Sequence, residues 1–146
     1  MANERHVRDV MTPNPQCVTE KDSLREVARI MKDQDTGAVP VVNGKKIIGM
    51  ITDRDIVVRC IAEGKNPLDA RVNEVMTKSV RKVQEDATIN EVIGLMSSSE
   101  IRRVPVVNRN DEIVGIVSIG DISVQTDNKG KVGQAMVDIA QAPPNN

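Results

Sequence analysis

Phenylalanine, tyrosine and tryptophan are all absent from this 146-residue chain. A core without them must be built from Val, Ile, Leu, Met and Ala, and any planar ligand must be held between aliphatic side chains instead of stacked on an aromatic one. Histidine occurs once, as His6 near a polar terminus, where a solvent-exposed position is expected. One imidazole without a Ser or Cys in a recognisable setting gives no nucleophilic site. Cysteine occurs twice, and Cys17 and Cys60 show neither CxxC nor paired Cys/His spacing, so no metal site is expected. Two reduced thiols packed as small apolar residues fit better. No apolar run approaches the roughly 18 residues of a membrane span, and the start MANERH lacks a signal peptide's apolar core. A soluble, cytoplasmic protein without a membrane partner is expected. Neither sign of charge is in surplus, because 20 Lys and Arg against 21 Asp and Glu leave -1. Binding a phosphate backbone needs a basic surplus on some face, so nucleic acid is not an expected partner.

What the chain does have is one pattern written twice. Val7 to Asn43 aligns with Val72 to Asn108 at a constant offset of 65, with 14 of 37 positions identical. After one inserted residue, IIGMITDRDI (Ile47 to Ile56) lies over IVGIVSIGDI (Ile113 to Ile122) at an offset of 66. Each half has roughly 55 to 60 residues, near the lower limit for a self-sufficient core. The halves are therefore expected to co-fold about a pseudo-twofold axis, with ligand clefts at their junction. The repeat sets domains at residues 7–64 and 72–123, separated by the linker GKNPLDAR, with an extension over residues 124–146. That extension carries an amphipathic stretch with Val132, Ala135, Met136, Ile139 and Ala140 on roughly one side, and a disordered end is expected after it.

Periodicity places the same elements in both halves. Asp22 or Ser23 can cap a helix with Leu24, Val27, Ala28 and Met31 on one face, and Thr88 can cap another with Ile89, Val92, Ile93 and Met96. AVPVVN and RVPVVN read as buried strands. The turns at Asn43 to Lys46 and Asn108 to Asp111 then return the chain as IIGMIT and IVGIVS, two hairpins. A helix follows each hairpin, over Asp53 to Glu63 and from Asp121, which gives an α/β (α+β) fold. The methionines, Met31 and Met96 among them, read as core or dimer packing, and the apolar helix faces that carry Val27, Met31, Val92 and Met96 are expected at a dimer interface.

The polar pairs that close each half carry the chemistry. In GMITDRDI a hydroxyl, Thr52, precedes a carboxylate, Asp55, by three residues; in GIVSIGDI the pair is Ser118 and Asp121. At a strand-to-helix turn the hydroxyl can cap the helix and backbone N–H groups favour an anion, while the carboxylate can accept two hydrogen bonds from a ribose diol. The plainer account is an N-cap with a first-turn acid. Recurrence of the same spacing after the same hairpin shifts the weight towards a ligand.

The order VMT, helix, (G/R)(A/R)VPVV, hairpin and G-x-x-(T/S)-x-x-D, repeated in register, resembles the CBS domain and its tandem pair, the Bateman module. The resemblance runs from Val7 to about Ser123 and is similar in pattern to small stand-alone bacterial paired-CBS proteins of the hypoxic response type. It implies two tandem CBS domains binding AMP, ADP or ATP between them as a regulatory ligand, with no cofactor required and no enzymatic activity. By position, Asp55 and Asp121 would take ribose hydroxyls and Thr52 and Ser118 phosphate. Groups around Val39, Pro40, Val104 and Pro105, with Thr12 and Thr77, would line the base and sugar. Arg102 and Arg103 stand where the nucleotide-sensing γ subunit of AMP-activated kinase has basic residues facing phosphates, and Gly37 and Ala38 replace them in the first half. Arg54 lies inside the first motif where the second has Gly120, so the two sites are expected to hold phosphate unequally. The resemblance also implies a homodimer and a regulated protein partner. The rival reading is a ligand-free interaction dimer.

Overall fold

The repeated apolar spacing produces the same set of elements twice. In the computed structural model, which describes residues 5–126 and 128–141, the chain runs through β1 (Thr12–Pro13), α1 (Leu24–Gln34), β2 (Ala38–Asn43), β3 (Lys46–Thr52) and α2 (Asp53–Asp55). It continues through β4 (Val83–Gln84), α3 (Ile89–Ser99), β5 (Arg103–Val107), β6 (Ile113–Ser118), α4 (Ile119–Gln125) and α5 (Lys129–Ala140). The helix expected over Asp53 to Glu63 is a single α turn followed by a wider π-helical stretch, Ile56–Ile61. The expected ends of the chain, polar MANE and PPNN, lie outside the described residues.

The chain divides into two units, and neither coincides with a sequence repeat. One is Pro15–Val80; the other joins the described parts of Met1–Asn14 and Arg81–Asn146. Each unit thus takes its VMT lead-in from the other repeat. In the Pro15–Val80 unit β2 and β3 form an antiparallel hairpin, Val18 bridges Val41 in parallel on one side and Thr77 bridges Met50 on the other. The second unit has the same order as a four-stranded sheet, β1-β6-β5-β4, with Thr12 opposite Ile116 and Val83 beside Val106. A bulge falls at the same place in both hairpins, between Val41 and Val42 and between Val106 and Val107.

Capping follows the sequence. The Ser23 hydroxyl accepts from the Glu26 N–H at 3.2 Å and the Thr88 hydroxyl from Glu91 at 3.1 Å, closing the first turns of α1 and α3. Asp22 serves the preceding turn instead, accepting from the Thr19 N–H at 2.8 Å. The four core positions expected on α3 are all buried. On α1 the seam is shifted: Leu24, Val27 and Ile30 are buried, Met31 is half-buried and Ala28 is exposed, beside Arg29, which pairs outward with Glu26 and Asp33. Val27, Val92 and Met96 are fully enclosed within their own units, which removes them as an exposed dimer face.

Each unit has its own aliphatic core. Leu24, Val27, Val41, Ile51, Val75 and Met76 enclose Cys60 in the first. Ile93, Met96, Val104, Val117 and Ile122 form the second, where α5 closes the cluster with Val132 and Ala135. Only those two residues of α5 are buried; Met136 and Ala140 face outward, so its apolar seam is narrower than the expected five-residue side. Both cysteines are free thiols. Cys17 is half-buried, and burial pushes its thiol pKa up. His6 is half-buried as well, bridged to Thr88, contrary to its expected exposure.

Candidate functional site

Each hairpin ends at a reciprocal cap. The Thr52 hydroxyl accepts from the Asp55 N–H at 3.0 Å, while the Thr52 N–H donates to Asp55 Oδ2 at 2.9 Å. Ser118 and Asp121 repeat the arrangement at 3.0 and 3.1 Å. These are capping boxes, so the plain structural role is fulfilled at both turns. It does not exhaust the groups. A hydroxyl that accepts one N–H still has its own O–H to donate, and a carboxylate with one occupied oxygen still has lone pairs on the other. Thr52 and Ser118 can each donate to an anionic oxygen, and Oδ1 of Asp55 and Asp121 can each accept from a hydroxyl. Asp55 is only 7% exposed, so the groups available to it are restricted to its immediate neighbours and whatever enters the turn.

The sheet register brings most of the expected residues together in two sets, each contained in one unit. In an antiparallel ladder directly opposed residues share a face and alternate with those between them. Ala38 opposes Thr52, Pro40 opposes Met50, and Met50 meets Thr77 on its other side. Arg103 opposes Ser118, Pro105 opposes Ile116, and Ile116 meets Thr12. Pro40, Thr52 and Thr77 therefore lie on one face of one hairpin, and Thr12, Arg103, Pro105 and Ser118 on the matching face of the other. Val39 and Val104 alternate to the opposite face and are buried in the two cores, so their side chains cannot line a ligand and only their backbone remains available.

The arginines are distributed unequally. Arg103 is half-buried opposite Ser118, whereas the equivalent neighbour of Thr52 is Ala38. Arg102 is exposed, and its carbonyl accepts the Ile119 N–H at 2.9 Å, as the Gly37 carbonyl accepts that of Asp53 at 3.0 Å. Arg54 is exposed on the first turn of α2, and its N–H donates to Asp53 Oδ1 at 2.8 Å. A shallow depression of about 440 Å³ lies elsewhere, on the outer face of α1 among Arg25, Ala28, Arg29 and Lys32.

Three residues of these turns were missed by reading the motif. A methyl group on Gly49 would stand 2.5 Å from Met76 Cε and 2.6 Å from the Thr77 carbonyl oxygen. One on Gly115 would stand 2.8 Å from Met11 Cγ and 3.0 Å from the Thr12 carbonyl oxygen. The glycines let each lead-in segment lie against its hairpin, and their identical place in both motifs was the available sign. Arg59, one turn beyond Asp55, places Nε 3.7 Å from Asp55 Oδ1.

The profile of the CBS domain matches residues 7–61 and 72–124, the two halves that end in these boxes. The chain belongs to the CBS domain family. It is 39% identical over 137 residues to protein YlbB of Bacillus subtilis (strain 168), spanning 92% of this chain and 91% of the relative. Among solved structures it is similar to Hypoxic Response Protein I, at 34% identity and a TM-score of 0.76, covering 84% of this chain and 99% of the neighbour. That structure carries two coordinated zinc ions; among the described residues here, no group of three or more His, Cys, Asp or Glu stands together to hold a metal. A second neighbour, the CBS domain pair of MJ0100, is 31% identical with a TM-score of 0.76, covers 86% of this chain and 98% of its own, and was solved with 5'-methylthioadenosine and S-adenosyl-L-methionine. CBS pairs are generally regulatory, and some bind adenosine ligands. Among the described residues no helix is long and apolar enough to cross a membrane.

Proposed function

We propose that this chain is a regulatory module without enzymatic activity that binds an adenosine-containing ligand, with AMP, ADP or ATP as the first candidates, in the cytoplasm. The observation that carries the reading is the repeated capping box, which in each unit leaves one O–H donor and one carboxylate oxygen free of the cap. A carboxylate acceptor suits a ribose diol, and a hydroxyl donor suits a 5' substituent such as phosphate. The similar MJ0100 pair, with its two adenosine ligands, supports the class of ligand. Binding acts on a regulated partner by shifting a conformational or oligomeric equilibrium, and only to the extent that the two states differ in affinity.

The test is calorimetric titration of AMP, ADP and ATP into the wild type and into the Asp55→Ala, Asp121→Ala double variant. Adenylate binding by the wild type that is lost in the double variant is the expected result. Equal retention by both overturns the assignment. Uptake by neither would favour the second reading, a ligand-free homodimer acting through its surface, for which the exposed Val57, Val58, Ile61 and Leu68 of the first unit speak.

A further inference from the structure

Arg59 reaches two places with one guanidinium. Its Nε lies 3.7 Å from Asp55 Oδ1, and its Nη1 donates to the carbonyls of Val75 and Met76 at 3.4 and 3.3 Å. Those carbonyls belong to the lead-in that ends at Thr77, whose N–H and carbonyl are both bonded to Met50, at 2.8 and 2.9 Å. The arginine therefore joins the carboxylate assigned to ribose to the backbone that delivers Thr77 to the same turn. A guanidinium suits this task because its donors point in fixed directions, whereas a lysine presents a single nitrogen. At 3.7 Å the contact with Asp55 is an ion pair and not a hydrogen bond, so Oδ1 keeps its lone pairs for an incoming hydroxyl. Arg59 also sits in the π-helical stretch, a winding that recurs at functional sites.

The other unit is wired differently. The position aligned with Arg59 is Gln125, whose Oε1 and carbonyl both accept from Arg5 Nη1, at 3.1 and 3.0 Å. A tie from the helix to the lead-in side exists there too, but it leaves Asp121 out. Among the described residues Asp121 Oδ2 meets only the cap, through the Ser118 N–H.

We propose that Arg59 is a positioning residue that couples occupancy of the Asp55 site to the order of the Val72–Thr77 segment, which makes the first-repeat site the reporting one and the Asp121 site a site of binding alone. This rests on the adenosine reading above. A ribose hydroxyl on Oδ1 restrains the carboxylate, the restrained carboxylate holds the guanidinium, and the guanidinium holds the two carbonyls. Ordering that one partner has already supplied need not be supplied again by the other, so the coupling is reciprocal. From Thr77 the chain continues through Val80 and enters the other unit at Arg81.

Amide hydrogen exchange resolved by residue, with and without saturating AMP, tests this on the wild type, R59Q and R59K. The Met76 N–H, bonded to the Val72 carbonyl, and the Thr77 N–H report on the segment, and the Asp55 N–H reports on the cap. In the wild type AMP slows exchange at all three. In R59Q, which installs the residue of the other repeat, AMP affinity stays within about fivefold, as suits a loose 3.7 Å ion pair whose guanidinium is half-exposed, and the Asp55 amide is still slowed, but Met76 and Thr77 are not. R59K, which keeps the charge without the fork, behaves like R59Q. Unchanged slowing at Met76 and Thr77 in R59Q or R59K overturns the coupling, as does a wild type that binds AMP but is protected only around Ser118 and Asp121. If calorimetry shows no uptake of AMP, the exchange is run with ADP, ATP or S-adenosylmethionine, whichever the wild type binds; uptake of none of the four overturns the adenosine reading itself. Circular dichroism melts that match the wild type establish that the variants are folded.

Discussion

Two glycines and two carboxylates bear most of the weight at the level of single residues. Because a methyl on Gly49 would lie 2.5 Å from Met76 Cε and 2.6 Å from the Thr77 carbonyl oxygen, Gly49→Ala forces the lead-in away from β3. Overpacking of this kind costs about 1 to 3 kcal/mol, and Gly115→Ala meets the same obstacle in Met11 and Thr12. Urea denaturation followed by circular dichroism should show both losses; stabilities equal to the wild type would mean that the lead-in yields freely. The carboxylates require a more careful substitution. Asp55→Ala and Asp121→Ala remove the proposed ligand acceptor together with one half of a capping box, and loss of a cap by itself costs about 1 kcal/mol of stability. Asn keeps an oxygen for the Thr52 or Ser118 N–H but carries no charge. Each Ala variant is therefore expected to weaken its own site by about 1.5 kcal/mol or more. Asp→Asn should separate the roles, keeping the melt near that of the wild type while still weakening adenylate binding in calorimetry.

At the level of elements, what was legible in the sequence was local. Thr88 could be picked out as a cap, and Ser23 as one of two candidates with Asp22, because the donors they satisfy lie three residues on, at Glu26 and Glu91. The hairpins were readable from β-branched runs around Asn43 to Lys46 and Asn108 to Asp111, and the hydroxyl–carboxylate pairs from their spacing. What escaped depends on partners far along the chain. Nothing near Val7 or Val72 tells that each VMT segment belongs with the hairpin of the other repeat. Ala28 and Ile30 both fit an apolar stripe on α1, and it is Ile30 that joins Val39, Val41 and Ile51 of the β2–β3 hairpin in the core. Val27, Val92 and Met96 looked like candidates for an interface because the helices were read without the sheets that cover them. Among the described elements, α5 shows how such a long-range contact is specified. It lies on α3, where the Ser97 hydroxyl donates to Asp138 Oδ2 and Gln134 donates to Oδ1 of the same carboxylate at 3.0 Å. At the aligned place on α1 stands Lys32, exposed to solvent, and no second copy of α5 follows the first repeat. A double-mutant cycle with Ser97→Ala and Asp138→Ala should return a coupling of about 1.5 kcal/mol or more, the value for a hydrogen bond to a charged group. Simple additivity would show that Val132 and Ala135 hold α5 without help from this bond.

For the whole molecule the missing aromatics become an experimental advantage. With no Trp, Tyr or Phe in the chain, the protein has almost no near-ultraviolet absorbance of its own, whereas adenine absorbs strongly there. A ligand retained through purification is therefore visible directly in the spectrum. A preparation without that band should instead gain stability when adenylate is added, because a ligand at 100 times its dissociation constant raises the stability of the native state by about 2.7 kcal/mol if it binds only the folded form. For a domain of this size about 1 kcal/mol moves the melting temperature by roughly 2 to 6 °C, so the rise amounts to several degrees and is followed by circular dichroism, since no intrinsic fluorophore is present. The response should be divisible: Asp121→Asn and Asp55→Asn each remove part of the shift, and the double variant removes all of it. A blank spectrum together with a melt unmoved by millimolar AMP, ADP, ATP and S-adenosylmethionine would overturn the ligand-binding function. The exposed Val57, Val58, Ile61 and Leu68 would then become the principal functional surface, and light scattering at micromolar concentration, with a dimer mass as the expected outcome, would be the measurement to decide whether a second copy covers them.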